Sequence, residues 1–264
     1  MARSCRPRAT AGVTPTPRAE ALWPELRSAV SNVRAALAPG EFNPQTDAAG
    51  FRIATAAAAT TTFVPPLVAQ IERNQALANL RALSLTTREP SKLLERGEAD
   101  LTVGHFPETV AALSVEGGDA SLRHHHLQES GFVCLMRQCH PLAKGKLTLD
   151  DYCAAHHLLV IFSGHTNGRA DQALAALNRE RRVMLTVNPY FTAGKLVANR
   201  NLLTLLPASF VNAAGFQEEV VTRPLPFALE SLRVTMLWHV RHDRVSSHQW
   251  LRARLIEAVQ AATA

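Results

Sequence analysis

FRIATAAAATTTFVPPLVAQIERN, residues 51–74, decides how the rest of the chain is read. Residues 51–56 form a short run without polar alternation, the pattern of a strand covered on both faces. Phe63, Val64, Leu67, Val68 and Ile71 then recur at helical spacing, so a strand feeds directly into a helix. Working outwards, similar apolar runs predict strands at 80–85, 101–106, 131–137, 157–162, 183–187, 202–206 and 232–240. Helical stretches fall between and after them at 90–97, 167–178, 190–199, 207–214 and 247–262. Strand–helix alternation sustained over about 210 residues predicts an α/β protein built on parallel sheets.

Upstream the pattern differs. Residues 1–17 are rich in Arg, Thr, Pro and Gly and carry few bulky apolar side chains. Thr16-Pro17 supplies a cap followed by proline at a first helical position. Leu22, Leu26, Val30, Val33 and Leu37 then trace a narrow a/d seam suited to pairing with another helix. Pro24 kinks this segment or marks its true start, and Pro39-Gly40 closes it. Residues 40–50 read as a linker.

Of the formal +6 net charge, +4 lies within the first 34 residues, which hold six arginines against Glu20 and Glu25. The main body is therefore no obvious polyanion binder. A hydrophobic content of 47% supports a sizeable core. There is no apolar run of about 18 residues, and no apolar segment follows the Arg-rich start, so neither a membrane span nor a secretory signal is expected. Cys5, Cys134, Cys139 and Cys153 form no C-x-x-C pair and no disulfide framework, which suits a reduced, cytoplasmic compartment.

Five segments, in order, resemble LysR-type bacterial transcriptional regulators. GVTPTPRAEAL (12–22) is similar to the end of their winged helix-turn-helix running into the linker helix. Residues 51–74, with Pro65-Pro66, resemble the first strand and helix of the effector domain. LLERGEADLTVGHFPE (93–108) and GFVCLMRQCHPLAKGKLTLDDY (131–152) resemble later strand and helix junctions. LWHVRHDRVSSHQWLRARL (237–255) resembles the closing strand and helix of the nodulation-regulator-like branch. The resemblance implies two Rossmann-like lobes of periplasmic-binding-protein type, preceded by a linker helix. The expected division is a wing remnant at 1–17, linker helix and linker at 18–50, lobe one at 51–128 plus 229–264, and lobe two at 129–228. It further implies a small organic effector in the interlobe cleft and self-association as a dimer or tetramer. DNA binding is expected only of a form with the winged helix-turn-helix, most of which is absent from this sequence.

Candidate contacts follow from both routes. Thr60, Thr61 and Thr62 fall at the predicted start of the Phe63–Ile71 helix, where free N–H groups and the positive dipole end attract anions or hydroxyls. Simple helix capping is the plainer alternative. Gly104, His105 and Phe106 end a predicted strand on the expected cleft side, although a packed or solvated histidine is as reasonable. The turn 164–168 (GHTNG) places His165 and Thr166 before a helix, and Tyr190 and Phe191 follow Asn188-Pro189 as an aromatic wall or as packing. His124, His125 and His126 cannot converge on a metal from one strand, because neighbouring side chains point to opposite faces. Cys134 reads as a small buried hydrophobe. No catalytic, metal or cofactor motif occurs: there is no G-x-S-x-G, H-E-x-x-H, Walker or G-x-G-x-x-G pattern. A solute-binding protein of the same fold and a cytoplasmic α/β enzyme are the alternatives; the missing signal argues against the first, and no motif supports the second.

Overall fold

The structure is a computed structural model, and it describes residues 8–9, 12–13, 16–23, 26, 30, 42–85, 89–117, 120–161, 168–216 and 218–263. The first of these, Arg8–Ala9 and Gly12–Val13, pair antiparallel. Residues 17–23, 26 and 30 are helical, and Leu26 and Val30 are more than half exposed. The remaining seam positions Val33 and Leu37 lie outside the described residues.

The body begins with β1 (Ala49–Thr55), α1 (Ala57–Arg73) and β2 (Ala78–Ser84). Next come α2 (Pro90–Glu95), β3 (Leu101–Gly104), α3 (Pro107–Glu116) and β4 (Leu122–Ser130). With β10 (Leu232–His239) these strands form a sheet of order β2-β1-β3-β10-β4. A second set comprises β5 (Phe132–Arg137), α4 (Leu149–Ala154), β6 (His156–Val160) and α5 (Arg169–Ala175). It continues through β7 (Arg182–Val187), α6 (Tyr190–Ala198), β8 (Leu203–Pro207), α7 (Ala208–Ala213) and β9 (Val220–Arg223). Its sheet runs β9-β5-β8-β6-β7. Helix α8 (Ser246–Thr263) closes the chain against the first lobe.

The sheets are mixed, not wholly parallel as the sequence suggests. β1 pairs parallel with β2 and β3, while β10 runs antiparallel between β3 and β4. In the second lobe β6 pairs parallel with β7 and β8, while β5 runs antiparallel between β8 and β9. The antiparallel members are the strands that carry the chain between lobes. β4 passes into β5 through Gly131 alone, and the chain returns from β9 to β10. Hydrogen bonds from the Ala208 N–H to the Gly131 carbonyl (2.9 Å) and from the Ser209 N–H to Ser130 Oγ (3.0 Å) tie the first crossing to the start of α7.

Each sheet has a core on both faces, which explains its unalternating strands. In lobe one, Phe51, Ile53, Met236 and Trp238 meet Phe63 and Leu67 of α1 and Leu251 and Leu255 of α8. The other face holds Ala54, Leu94, Phe106, Leu113, Leu122 and Leu237. In lobe two, Leu135, Leu158, Val197, Phe210 and Phe216 form one layer, and Cys134, Met136, Tyr152, Leu174 and Leu203 the other.

Candidate functional site

Helix α1 starts six residues earlier than its apolar periodicity predicts, because Ala57, Ala58 and Ala59 are good helix formers with nothing to place on a spacing pattern. The Thr60 N–H already donates to the Ala56 carbonyl (2.9 Å), so the helix's open N–H groups are those of Ala57 to Ala59. Thr60, Thr61 and Thr62 therefore lie in the second turn. The hydroxyls of Thr60 and Thr55 share a hydrogen bond of 2.5 Å. Thr62 is buried and donates back to the Ala58 carbonyl at 2.9 Å. Thr61 is partly exposed. Ala58 packs against the Phe210–Phe216 layer, so the start of α1 abuts the other lobe.

At the end of β3 the three candidates separate. Phe106 is buried in the core of lobe one, not in the cleft, and its ring lies where a Cβ on Gly104 would be, 2.8 Å away. Gly104 thus makes room for Phe106. His105 points across to lobe two instead. Its Nδ1–H donates to the Arg233 carbonyl (2.9 Å), which leaves Nε2 to accept from Arg169 Nη2 at 2.6 Å. Burial, with Arg169 and Arg233 beside it, lowers the His105 pKa below its ordinary value; the backbone bond and Glu230 oppose this.

Arg169 opens α5 and also lies over the Phe132 ring, 5.9 Å from its centre. The backbone that presents it is braced from below. Asp171 accepts the Gly168 N–H (2.7 Å) and pairs with Arg181 Nε (2.7 Å). The Arg181 side chain is 1% exposed and donates to the Tyr152 hydroxyl at 3.0 Å. His157 completes this network with its Nε2–H on the Tyr152 carbonyl (2.7 Å). Burial lowers the His157 pKa to about 4. Phe132 is also a wall of a cavity of about 430 Å³, shared with Val133, Arg223, Leu225, Phe227 and Leu229.

Tyr190 and Phe191 diverge, as neighbours at the start of a helix must. Tyr190 packs on Phe210 (5.3 Å between ring centres) within the layer that Ala58 touches. Phe191 leans on Phe216 (5.2 Å) and leaves half its surface exposed. His165 and Thr166 lie outside the described residues. His124, His125 and His126 are exposed on edge strand β4, opposite Leu237, Met236 and Thr235 in turn. Among the described residues no group of three His, Cys, Asp or Glu is placed to hold a metal. Cys134 is fully buried, and burial pushes its thiol up to about 12.

This arrangement, two mixed α/β lobes crossed twice by the chain, coincides with a family match: residues 45–260 fit the LysR substrate binding domain. The chain belongs to that family. The transcriptional activator NahR of Pseudomonas putida is 26% identical over 250 residues, covering 93% of this chain and 79% of NahR. Nodulation protein D 1 of Mesorhizobium japonicum is 25% identical over 253 residues, covering 94% and 76% respectively. The regulatory domain of MexT, a transcriptional activator in Pseudomonas aeruginosa, superposes with a TM-score of 0.68 at 26% identity. That match covers 81% of this chain and 99% of the MexT domain. These LysR-family relatives are transcriptional regulators, not enzymes. LysR-type regulators bind small-molecule effectors and DNA and form oligomers. No helix among the described residues of this LysR domain is long and apolar enough to cross a membrane.

Sequence reasoning missed Arg169, Phe132 and the Arg181–Asp171 brace. A basic residue directly after a glycine-rich turn is the only local trace of Arg169, and its partner His105 is 64 positions away.

Proposed function

We propose that this chain is a cytoplasmic effector-sensing domain that binds a small organic molecule between its lobes, 51–128 plus 229–264 and 129–228. What carries the reading is the meeting of His105 from lobe one with Arg169 from lobe two, beside the ends of β3 and α5. Ligands of open α/β sheets bind beyond the carboxyl ends of the strands, and the start of α1 adds open backbone donors there. The ligand's polar end meets the first two turns of α1, where Thr61 is the accessible hydroxyl. Tyr190, at the start of α6, lies towards its apolar body. Walls that are mostly apolar with a few polar anchors are the usual composition of such sites.

The test is calorimetry with a panel of aromatic acids and phenols on wild type and Thr61→Ala. The variant should weaken binding by about 1 kcal/mol for a neutral hydrogen bond and by up to about 3 for a charged acceptor. A ligand whose affinity ignores substitution of Thr60, Thr61 and Thr62 alike would refute the anchoring.

The same reading includes self-association. Helix α1 of one subunit faces helix α6 of another, with DNA contact assigned to a winged helix-turn-helix outside 45–260. Exposed Val68 on α1 and Phe191 on α6 support this pairing, as do Val183, Met184 and Leu185 on edge strand β7.

A further inference from the structure

We propose that Arg169 is the carboxylate receptor of this cleft and that His105 holds it in the ligand-free protein, so that an anionic effector must take Arg169 from His105 to bind. The proposal rests on the cleft reading above and adds the bond that the ligand's carboxylate displaces. It assigns that carboxylate to Arg169 and leaves the start of α1 to a hydroxyl or other neutral polar group.

Three observations carry it. First, among the described residues the Arg169 guanidinium has a neutral ring nitrogen as its hydrogen-bond partner. Its ion pairs among the described residues include no carboxylate, whereas the neighbouring Arg181 is matched by Asp171. Guanidinium bonds a carboxylate through two parallel, charge-assisted hydrogen bonds, which a single imidazole nitrogen cannot equal. Second, the tautomer is fixed. Because the Arg233 carbonyl can only accept, the Nδ1 of His105 carries the proton and Nε2 presents its lone pair to Arg169. The charged groups around this imidazole are Arg169, Arg233 and Glu230, and burial reinforces the neutral form. Third, the arginine's root is rigid. The Gly168 N–H is held by Asp171, and Asp171 by the enclosed Arg181, so the guanidinium can change partner without moving α5.

Phe132 beneath the guanidinium supplies an apolar face on which a ring bearing the carboxylate can rest. The displaced bond joins the two lobes, so exchanging it for a ligand alters what holds them together. Anion binding and lobe geometry are therefore linked through one residue.

Calorimetric titration of benzoate and of its neutral counterpart benzamide tests this on the wild type, Arg169→Gln, Arg169→Lys and His105→Ala. Wild type should prefer benzoate by about tenfold or more, the scale of a charged hydrogen bond. Arg169→Gln should abolish that preference without lowering the melting temperature. Arg169→Lys should restore part of it, since the charge returns without the fork. His105→Ala should bind benzoate severalfold tighter, because the competitor for Arg169 is gone. Equal benzoate affinity in wild type and Arg169→Gln overturns the proposal and leaves the cleft reading standing. So does a His105→Ala variant that binds benzoate more weakly than wild type. Failure of wild type to bind benzoate also overturns it, and the cleft reading is then decided by the phenols of the wider panel.

Discussion

His157 and His248 are enclosed imidazoles, 0% and 3% exposed, and each uses Nε2–H to hold a backbone carbonyl, that of Tyr152 and that of Asp100. Burial lowers both pKa values to about 4, with Arg181 and Arg252 adding to the shift. In the unfolded chain both titrate near the ordinary value of about 6.5. The unfolded state therefore binds more protons between those limits, and stability is lost as the pH falls from about 6.5 towards 4. Each histidine contributes a slope of about 1.4 kcal/mol per pH unit in that window. Urea unfolding at pH 7.5, 6 and 4.5 checks this, and His157→Gln should flatten the dependence; a midpoint constant across the range would contradict it. Asp171 makes a different demand. Asp171→Asn leaves the Arg181 cation enclosed without its counter-charge and should cost about 3 kcal/mol or more of unfolding free energy. A loss below about 1 kcal/mol would mean that the Tyr152 hydroxyl and His157 suffice for Arg181.

The eight strands expected from apolar runs are all present, within two residues at either end. Most of those runs were legible because the inner strands are covered on both faces, whereas β2 and β7 are apolar runs on exposed sheet edges. The strands that the pattern hid, β4 and β9, are sheet edges: one carries three exposed histidines, and the other is only four residues long. Helix α3 was hidden because Pro107 sits at its first turn and Leu113 is its one buried side chain among the residues described. Strand-end position marked Gly104, His105 and Phe106 together and could not tell the outward His105 from the buried Phe106. Only the space over Gly104 decides that Phe106 turns inward. Arg169 was illegible because its role depends on the approach of two lobes. A comparable close approach sets helix α6 against Phe216. A Cβ on Gly194 would collide with the Phe216 ring, which also contacts Phe191 and Phe210. Gly194→Ala should therefore destabilise the protein by about 1–3 kcal/mol despite alanine's better helix propensity. Thermal melting checks this, and a variant as stable as wild type would show that Phe216 can move aside.

Both lobes end their sheets in edges of contrasting character. In lobe two, β7 exposes Val183, Met184 and Leu185 and α6 exposes Phe191, apolar surface of a kind that marks contact sites. Met184→Asp combined with Phe191→Asp should shift the particle to a lower mass in light scattering while leaving the fold intact; an unchanged mass would exclude this surface from the assembly. The ligand question bears on the space between the lobes, and the two are separable because neither Arg169 nor His105 lies on that edge. The most direct measurement is a crystal structure of the chain with the tightest-binding aromatic acid from the panel. The account predicts electron density for the acid between the lobes, its carboxylate on Arg169 and the Arg169–His105 bond broken. Density only outside the cleft, with that bond intact, would contradict it.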